Sequence, residues 1–229
     1  MQENKDAIEY ILSVLDETER SLTGDVLSER NRIVKYDITF PPEEKASMRS
    51  PSSRSAASSV DEVAIRDCHK CDLWMNRGEE RFELPKRRAK VMFITAFPET
   101  KFGVLDNDAM DMFRKQVSAI GLTEQDYILT SLLKCPADHF DSKCADLCRG
   151  YLKDEMIKAK SVKCFVFLGS DISSYMLRRP LDMDQFRSKV WNINGIPSVA
   201  TYSERECLKD PRLKRPVWED LKKVRGFIS

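Results

Sequence analysis

Four cysteines in this 229-residue chain have the spacing of a metal site. Cys68 and Cys71 form a C-x-x-C pair, Cys135 lies in the stretch L-L-K-C-P, and Cys148 begins the stretch C-R-G-Y-L. A close pair of cysteines joined by two distant ones is how proteins hold an iron–sulfur cluster or a structural zinc ion. The spacing does not separate these two, so the sequence predicts a four-thiolate metal site of either kind.

The remaining cysteines and one histidine need separate interpretations. Cys144 shares a predicted helical face with Cys148 and is an alternative fourth ligand. Cys164 falls inside an apolar run and is expected to be buried. Cys207 is expected in a final loop, without a partner at ligand spacing. His69, between the first two cysteines, could donate to a cluster sulfur or to a phosphate, but it is expected to be a plain surface residue.

The elements that must position these cysteines alternate between strands and helices. Buried strands are predicted at 90–96, 127–133, 162–169 and 196–202, and helices near 107–119, 143–159, 170–178 and 216–225. Continuous β-branched and aromatic runs are typical of parallel strands that are covered on both faces. The alternation predicts an α/β fold of three layers, α/β/α, around a mostly parallel four-stranded sheet. Such sheets bind ligands beyond the carboxyl ends of their strands.

The N-terminal third differs in character from the rest of the chain. Residues 3–22 are predicted to form an amphipathic helix, because apolar residues recur at helical spacing. These residues are Ile8, Ile11, Leu12 and Leu15. The Ser/Pro-rich stretch that follows is too poor in large apolar side chains to order itself. We therefore predict a helical extension at 1–40, a linker at 41–60 and a main domain at 61–229, with the helix either packing on that domain or binding elsewhere.

Composition and charge restrict the compartment and the partners. No apolar run approaches the length of a membrane span, and the polar N-terminus lacks the features of a secretory signal. We expect a cytoplasmic protein whose seven cysteines serve as ligands or core thiols rather than disulfides. Residues 1–66 contain nine lysines and arginines against thirteen acidic residues, whereas the remainder contains twenty-nine against twenty-four. The cysteine-bearing part is therefore basic, which is compatible with a polyanionic partner.

From about Cys68 to the C-terminus, the chain resembles the iron–sulfur uracil-DNA glycosylases, known as family 4. The resemblance rests on the order and spacing of C-H-K-C-D-L-W-M-N-R (68–77), V-M-F-I (91–94), L-L-K-C-P (132–136), C-R-G-Y-L (148–152), F-V-F-L-G (165–169), G-I-P-S-V-A-T-Y (195–202) and L-K-R-P-V-W-E-D-L-K-K-V (213–224). It implies the uracil-DNA glycosylase fold and a 4Fe–4S cluster on Cys68, Cys71, Cys135 and Cys148. It also favours Cys148 over Cys144 as the fourth ligand.

Three positions that carry catalysis or base recognition in that family have changed in this chain. Ala96 stands where the family has a carboxylate that helps to activate the attacking water. Ser131 replaces an asparagine that reads the polar edge of uracil, and Ser203 replaces a histidine that stabilises the developing uracil anion. Loss of one such anion-stabilising donor typically costs on the order of a hundred-fold in rate. Ordinary uracil excision is therefore predicted to be lost or redirected.

Three neighbouring residues bear on whether another reaction replaces it. Glu99 and Glu204 are acids that could take over a catalytic role, although neither occupies a family position. Phe102, in K-F-G, resembles the uracil-stacking phenylalanine of the family's P-F-V-G, but it is expected in the core.

Two basic clusters point to DNA as the polyanion. The first contains Lys86, Arg87 and Arg88, and the second, before the last predicted helix, contains Arg212, Lys214 and Arg215. Side chains and amides at a helix N-terminus can meet phosphate oxygens there. Such contacts are independent of base sequence and sensitive to salt.

These observations favour one function and leave two others open. The preferred function is that of a 4Fe–4S protein of the uracil-DNA glycosylase fold that binds single- or double-stranded DNA, with excision lost or redirected. The second is an active glycosylase that removes uracil or another damaged base through a rewired site. The third is a non-catalytic scaffold that binds a protein partner through residues 1–30.

Overall fold

The structure is a computed structural model, and it describes residues 65–77 and 88–228. Several predictions lie outside these described residues: the helix at 3–22, the extension at 1–40, the linker at 41–60, and the basic residues Lys86 and Arg87. Among the described helices, none is long and apolar enough to cross a membrane.

A five-stranded sheet forms the middle layer, with the strand order β2-β1-β3-β5-β4. The strands are β1 (Val91–Thr95), β2 (Tyr127–Ser131), β3 (Cys164–Leu168), β4 (Trp191–Ile193) and β5 (Ile196–Thr201). All but β4 run parallel. The register pairs Thr95 with both Ser131 and Leu168, and Leu168 with Thr201. The carboxyl ends of the four parallel strands therefore meet at one edge.

The predicted three-layer, mostly parallel architecture is confirmed, but the sheet has one strand more than the four predicted. This fifth strand, β4, is only three residues long and pairs antiparallel with β5 at the edge of the sheet. A two-residue turn joins them, in which Asn194 and Gly195 have φ of 52° and 87°. Two successive residues with positive φ are what a tight hairpin requires, and Asn-Gly is the pair best suited to it.

Six α-helices are present in the described part of the chain. They are α1 (Asn107–Ala119), α2 (Ser142–Lys158), α3 (Ser170–Leu177), α4 (Met183–Arg187), α5 (Glu204–Lys209) and α6 (Lys214–Ile228). Short 3₁₀ helices occupy Asp72–Asn76 and Pro211–Leu213. The four predicted helices are confirmed, although α6 is longer than predicted. Lys214 and Arg215 thus lie in its first turn rather than before it.

Two of the expectations for single residues are wrong. Cys207 is fully buried within α5, not in a final loop, because the capped turn at 203–206 begins a helix there. Phe102 is 90% exposed rather than part of the core. It lies in a tight loop that is closed by a hydrogen bond from the Glu99 amide to the Val104 carbonyl oxygen at 3.0 Å.

The core consists of two apolar clusters on opposite faces of the sheet. Side chains alternate along a strand, so Met92 and Ile94 of β1 belong to one cluster and Phe93 to the other. Helices α2, α3 and α4 cover the first face, and α1, α5 and α6 cover the second. All five residues of β1 and of β3 are buried, as expected of strands covered on both faces. The helices packed on both faces hold the ends of the strands in place, and the candidate site lies at these ends.

Candidate functional site

Four cysteines from three segments of the chain are near enough to one another for their charges to interact. Cys68 and Cys71 precede the 3₁₀ helix Asp72–Asn76, Cys135 follows β2, and Cys148 lies in α2. Cys135 and Cys148 are buried, whereas Cys68 and Cys71 are partly exposed. The side-chain Nδ2 of Asn76 donates to the Pro136 carbonyl oxygen at 3.3 Å. This bond connects the first segment to the loop after β2.

The thiols are near enough that the charge of one acts on the next. Burial, reinforced by the negative charges of Cys71, Cys135 and Cys68, raises the pKa of Cys148 to about 11. Burial also raises the pKa of Cys135, and Cys71 and Cys68 add to the effect, while Arg77 opposes it. Like charges held this close disfavour one another unless a positive charge compensates them. Ionisation of one of these thiols therefore opposes ionisation of the next.

Arg77 connects the C-x-x-C segment to Cys135. Its Nε donates to Cys135 Sγ at 3.4 Å, and its terminal nitrogens donate to the carbonyl oxygens of Arg66 and Cys68. Burial raises the pKa of Cys68, but a hydrogen bond with Tyr151 and nearby positive charge outweigh it, so the net pKa is lowered. No role for Arg77 was predicted from the sequence, although this residue ends the first motif of the resemblance.

A buried ion pair fixes the backbone immediately before Cys135. Lys134 is 1% exposed. Its Nζ donates to Glu155 Oε1 at 2.7 Å, to the Ser131 carbonyl oxygen at 2.7 Å and to Thr130 Oγ1 at 3.0 Å. These three bonds satisfy all three donors of the ammonium group, as a buried charge requires. This network was not predicted from the sequence. There, the one indication of a buried charge is a lysine between an apolar run and a cysteine.

Cys144 lies close to the same thiols. Its Sγ donates to Asp141 Oδ2 at 3.5 Å, and burial, followed by a hydrogen bond with Cys71, raises its pKa to about 12. It therefore stays an alternative to Cys148 as a ligand. Within the described ranges, no group of three or more histidine, cysteine, aspartate or glutamate side chains is close enough to hold a metal ion.

Cys164 and His69 do not belong to this group of interacting thiols. Cys164 is fully buried in β3, as predicted. His69 is exposed, with its Nδ1 2.9 Å from the Asp67 carbonyl oxygen and its ring centroid 4.5 Å from that of Trp74. The structure thus supports the prediction that His69 is a surface residue.

A cleft of about 200 Å³ opens at the carboxyl edge of the sheet. Phe97, Leu105 and Leu168 supply apolar walls. The charged side chains around it are Glu99, Asp171, Arg205, Glu206 and Lys209. Burial and the neighbouring Glu206 raise the pKa of Asp171. The edge thus carries a polar, mixed-charge cleft where ligands of parallel sheets bind.

No free polar group reaches this cleft from Ala96, Ser131 or Ser203, the three positions where the resemblance predicts altered catalytic residues. Ala96 lines it with a methyl group. Ser203 also lines it, but its Oγ caps α5, accepting from the Glu206 amide at 3.3 Å and donating to Glu206 Oε2 at 2.8 Å. Ser131 is buried, does not line the cleft, and donates from Oγ to the Leu133 carbonyl oxygen at 2.7 Å.

The two acids proposed as substitutes differ in their positions. Glu99 lines the cleft, where its Oε1 accepts from Arg205 Nε at 2.9 Å and its Oε2 from the Asp106 amide at 3.1 Å. Glu204 is 1% exposed and does not line the cleft, and its Oε2 has no partner among the described residues. Burial, with the charges of Glu99 and Glu206, raises the pKa of Glu204 to about 8.

The predicted DNA-binding residues that the structure describes are all exposed. Arg88 precedes β1, and Lys214 and Arg215 lie in the first turn of α6. Arg212 pairs with Asp210 at 2.8 Å, and Arg215 Nε lies 3.7 Å from Glu219 Oε1. Ion pairs this exposed contribute little to stability, so the guanidinium groups can exchange them for phosphate.

Comparisons with known proteins place the chain in a family. A segment of 55 residues is 37% identical to an uncharacterized protein of Borreliella burgdorferi and covers 24% of this chain. It spans only 28% of the length of that relative. The sequence profile of the uracil DNA glycosylase superfamily matches residues 82–222, which is more than half of the chain. The protein therefore belongs to the uracil DNA glycosylase superfamily.

Proposed function

We propose that this protein is a DNA-binding member of the iron–sulfur type (family 4) within its superfamily, and that its ordinary uracil excision is lost or redirected. The observation that best supports the proposal is the group of mutually interacting thiols at Cys68, Cys71, Cys135 and Cys148. Superfamily membership makes DNA the expected class of partner.

The donor chemistry of this group fits a 4Fe–4S cluster. Such clusters are held by four cysteine thiolates, and hydrogen bonds to the sulfurs adjust their properties. Two of the four thiols are buried, and Arg77 donates to the sulfur of one of them, Cys135. When bound, the cluster would supply a structural cross-link between the segment before β1, the loop after β2 and α2. A zinc ion on the same thiols is the alternative.

The cleft supports the loss of ordinary uracil excision. Excision of a flipped base requires groups that hold its polar edge and stabilise the departing anion. The hydroxyls of Ser131 and Ser203 already donate within the protein, and Ala96 has no carboxylate. None of the three side chains is therefore free to read uracil or to stabilise it as it leaves.

The open cleft also favours a second candidate, excision of a different base. Glu99 is one of three carboxylates that line it, with Asp171 and Glu206. The contacts with Arg205 and the Asp106 amide hold the Glu99 side chain in place. A fixed carboxylate in a cleft is able to orient an attacking water. Glu204 supports this candidate less well, because it lies behind the cleft wall.

The cluster is tested by purification without oxygen, with iron and sulfide measured per chain. We expect a brown protein with four irons of the 4Fe–4S type. Cys148→Ser should lose the iron, whereas the matched variant Cys144→Ser should keep it. A folded, colourless, zinc-loaded protein would contradict the cluster. Loss of iron in Cys144→Ser, with iron retained in Cys148→Ser, would identify Cys144 as the ligand.

The enzymatic part is tested by strand-cleavage assays on single-stranded and duplex DNA containing uracil, hypoxanthine or xanthine. We expect binding of these DNAs without uracil excision. If the protein excises uracil, and Glu99→Gln abolishes this activity, the proposed loss of uracil excision is wrong. Excision of hypoxanthine or xanthine alone, abolished in the same variant, would instead support the second candidate.

A further inference from the structure

An open groove of about 530 Å³ lies between α1, α5 and α6, and it shares no lining residue with the cleft. Its apolar lining consists of Met112, Ala119, Leu208, Val217, Trp218 and Leu221. Leu208 is 42% exposed and Trp218 is 38% exposed. Single apolar side chains on a surface are ordinary, whereas several gathered in a groove can accept the apolar face of another segment.

We propose that this groove is the docking site for the predicted amphipathic helix at residues 3–22 of the same chain. An amphipathic helix lays its apolar face into such a groove through residues at helical spacing. The apolar stripe of this segment consists of Ile8, Ile11, Leu12 and Leu15. The proposal is independent of the metal site and of any excision reaction.

The lengths of the stripe and the groove agree. The stripe from Ile8 to Leu15 spans about 10 Å at the 1.5 Å rise per residue of an α-helix. Along α1 the groove is lined from Asp108 to Ala119, which corresponds to about 16 Å. Two turns of helix therefore fit along the three turns of α1, with room for the flanking polar residues.

The connecting chain is long enough to allow docking within one molecule. Residues 23–64 separate the helix from Ile65, where the described domain begins. As a flexible chain, the predicted linker at 41–60 alone has a root-mean-square span of about 25 Å, whereas a domain of this size has a radius of gyration of about 15 Å. The tether also holds the helix near the groove at an effective concentration on the order of millimolar. A weak contact is then sufficient for occupancy.

The excess positive charge of the domain favours an acidic occupant, while the groove itself is lined by two lysines and two aspartates. Residues 1–22 contain six acidic and two basic side chains. The groove carries Lys115 and Lys214 on its rim, and the domain to which it belongs is basic. Asp108 and Asp111 also line the groove, at the first turns of α1, where they can meet a basic residue of the helix. A second copy of the chain would offer the same helix, but without the concentration that the tether provides.

Photo-crosslinking in the full-length protein tests the proposal. A benzoylphenylalanine in place of Leu12, on the apolar face, should crosslink to peptides of α1 or α6 that line the groove. The matched control carries the same group in place of Ser13, on the opposite face, and should crosslink there at least several-fold less. Trp218→Glu should remove the crosslink from position 12 while leaving the circular dichroism spectrum and thermal melting intact.

The pattern of crosslinks distinguishes the other occupants. Crosslinks that join two chains, and increase with protein concentration, would assign the groove to a second copy and overturn docking within one chain. Crosslinks from position 12 to other surfaces of the domain, equal yields from positions 12 and 13, or no crosslink in the purified protein would also overturn it. If Trp218→Glu does not fold, Leu208→Glu serves the same purpose from α5.

Discussion

Glu204 is a buried acid in the first turn of α5 whose Oε2 has no partner among the described residues. Burial, together with the charges of Glu99 and Glu206, raises its pKa from the ordinary 4.5 to about 8. Between these two values the folded protein holds a proton that the unfolded chain has released. The free energy of unfolding must therefore fall as pH rises through this window, by up to about 1.4 kcal/mol per pH unit.

Replacement of this carboxyl by an amide tests the linkage. Glu204→Gln removes the titrating group. The free energy of unfolding of this variant should therefore fall less steeply with pH between pH 5 and pH 8 than that of the unmodified protein. Chemical denaturation at several pH values measures the effect. Glu124→Gln, at an exposed position, is the control and should keep the slope of the unmodified protein. An unchanged slope in Glu204→Gln would show that Glu204 is ionised in the folded state.

Arg77 combines three contacts that no single substitution can preserve. It donates to Cys135 Sγ and to the carbonyl oxygens of Arg66 and Cys68, so it holds both sides of the proposed cluster site. Arg77→Lys keeps a positive charge but loses the forked geometry of the guanidinium group. Removal of an outer contact to a metal ligand typically costs 10- to 100-fold in affinity. We expect iron to be lost to a chelator about tenfold faster.

Chelator-dependent bleaching of the visible absorption measures this loss. Arg114→Lys makes the same chemical change on the exposed surface of α1 and should bleach at the unmodified rate. Equal rates in the two variants would mean that Arg77 only stabilises the local fold. Thermal melting of the iron-free proteins shows whether the difference is a general loss of stability.

At the scale of elements, the sequence predicted the long pieces and missed the short ones. The four parallel strands and four of the helices were recognisable because each contains a long apolar run or a helical period. β4 has three residues, too few for a pattern, although the Asn194-Gly195 turn was a usable hairpin signal. α5 has six residues, and its signal was the S-x-x-E spacing of Ser203 and Glu206. Because a loop was predicted at this capping box, Cys207 was also predicted in a loop rather than in a helix.

The capping role of Ser203 yields a prediction for this element. The resemblance to the iron–sulfur glycosylases aligns Ser203 with a histidine of that family. The Oγ of Ser203 exchanges hydrogen bonds with Glu206 at the start of α5. Ser203→Ala removes this cap and should lower the free energy of unfolding by about 1 kcal/mol. Urea denaturation measures the change. Ser118→Ala, at an exposed position within α1, should cause no such loss, and a similar loss in both variants would argue against the cap.

At the scale of the whole molecule, topology brings the candidate site together in a way that local patterns do not reveal. The register of the sheet explains why the loops after β1, β3 and β5 share one cleft. The contact of Arg77 with Cys135 joins residues 58 positions apart. Spacing predicts a set of candidate ligands among the cysteines, but a long-range contact of this kind depends on the packing of the complete domain. The same is true of the buried Lys134–Glu155 pair.

The distribution of charge over the whole molecule gives the last prediction. Residues beyond 66 carry an excess of five positive charges, and the exposed basic side chains near the start of α6 are part of it. Each phosphate contact steepens the dependence of log affinity on log salt concentration by about 0.9 for duplex DNA. Replacing Arg212 and Arg215 together by alanine should therefore make the slope shallower by almost two, and weaken binding to all sequences alike.

Fluorescence anisotropy with a labelled duplex at several salt concentrations measures this slope. The double variant leaves Lys214 in place, because that residue also lines the groove between α1, α5 and α6. Lys163→Ala, with Lys163 exposed just before the amino end of β3 and so at the opposite edge of the sheet, is the control and should keep the unmodified slope. Equal slopes in all three proteins would locate the DNA-binding surface elsewhere, because the sequence-independent part of the affinity depends on the number of phosphates contacted.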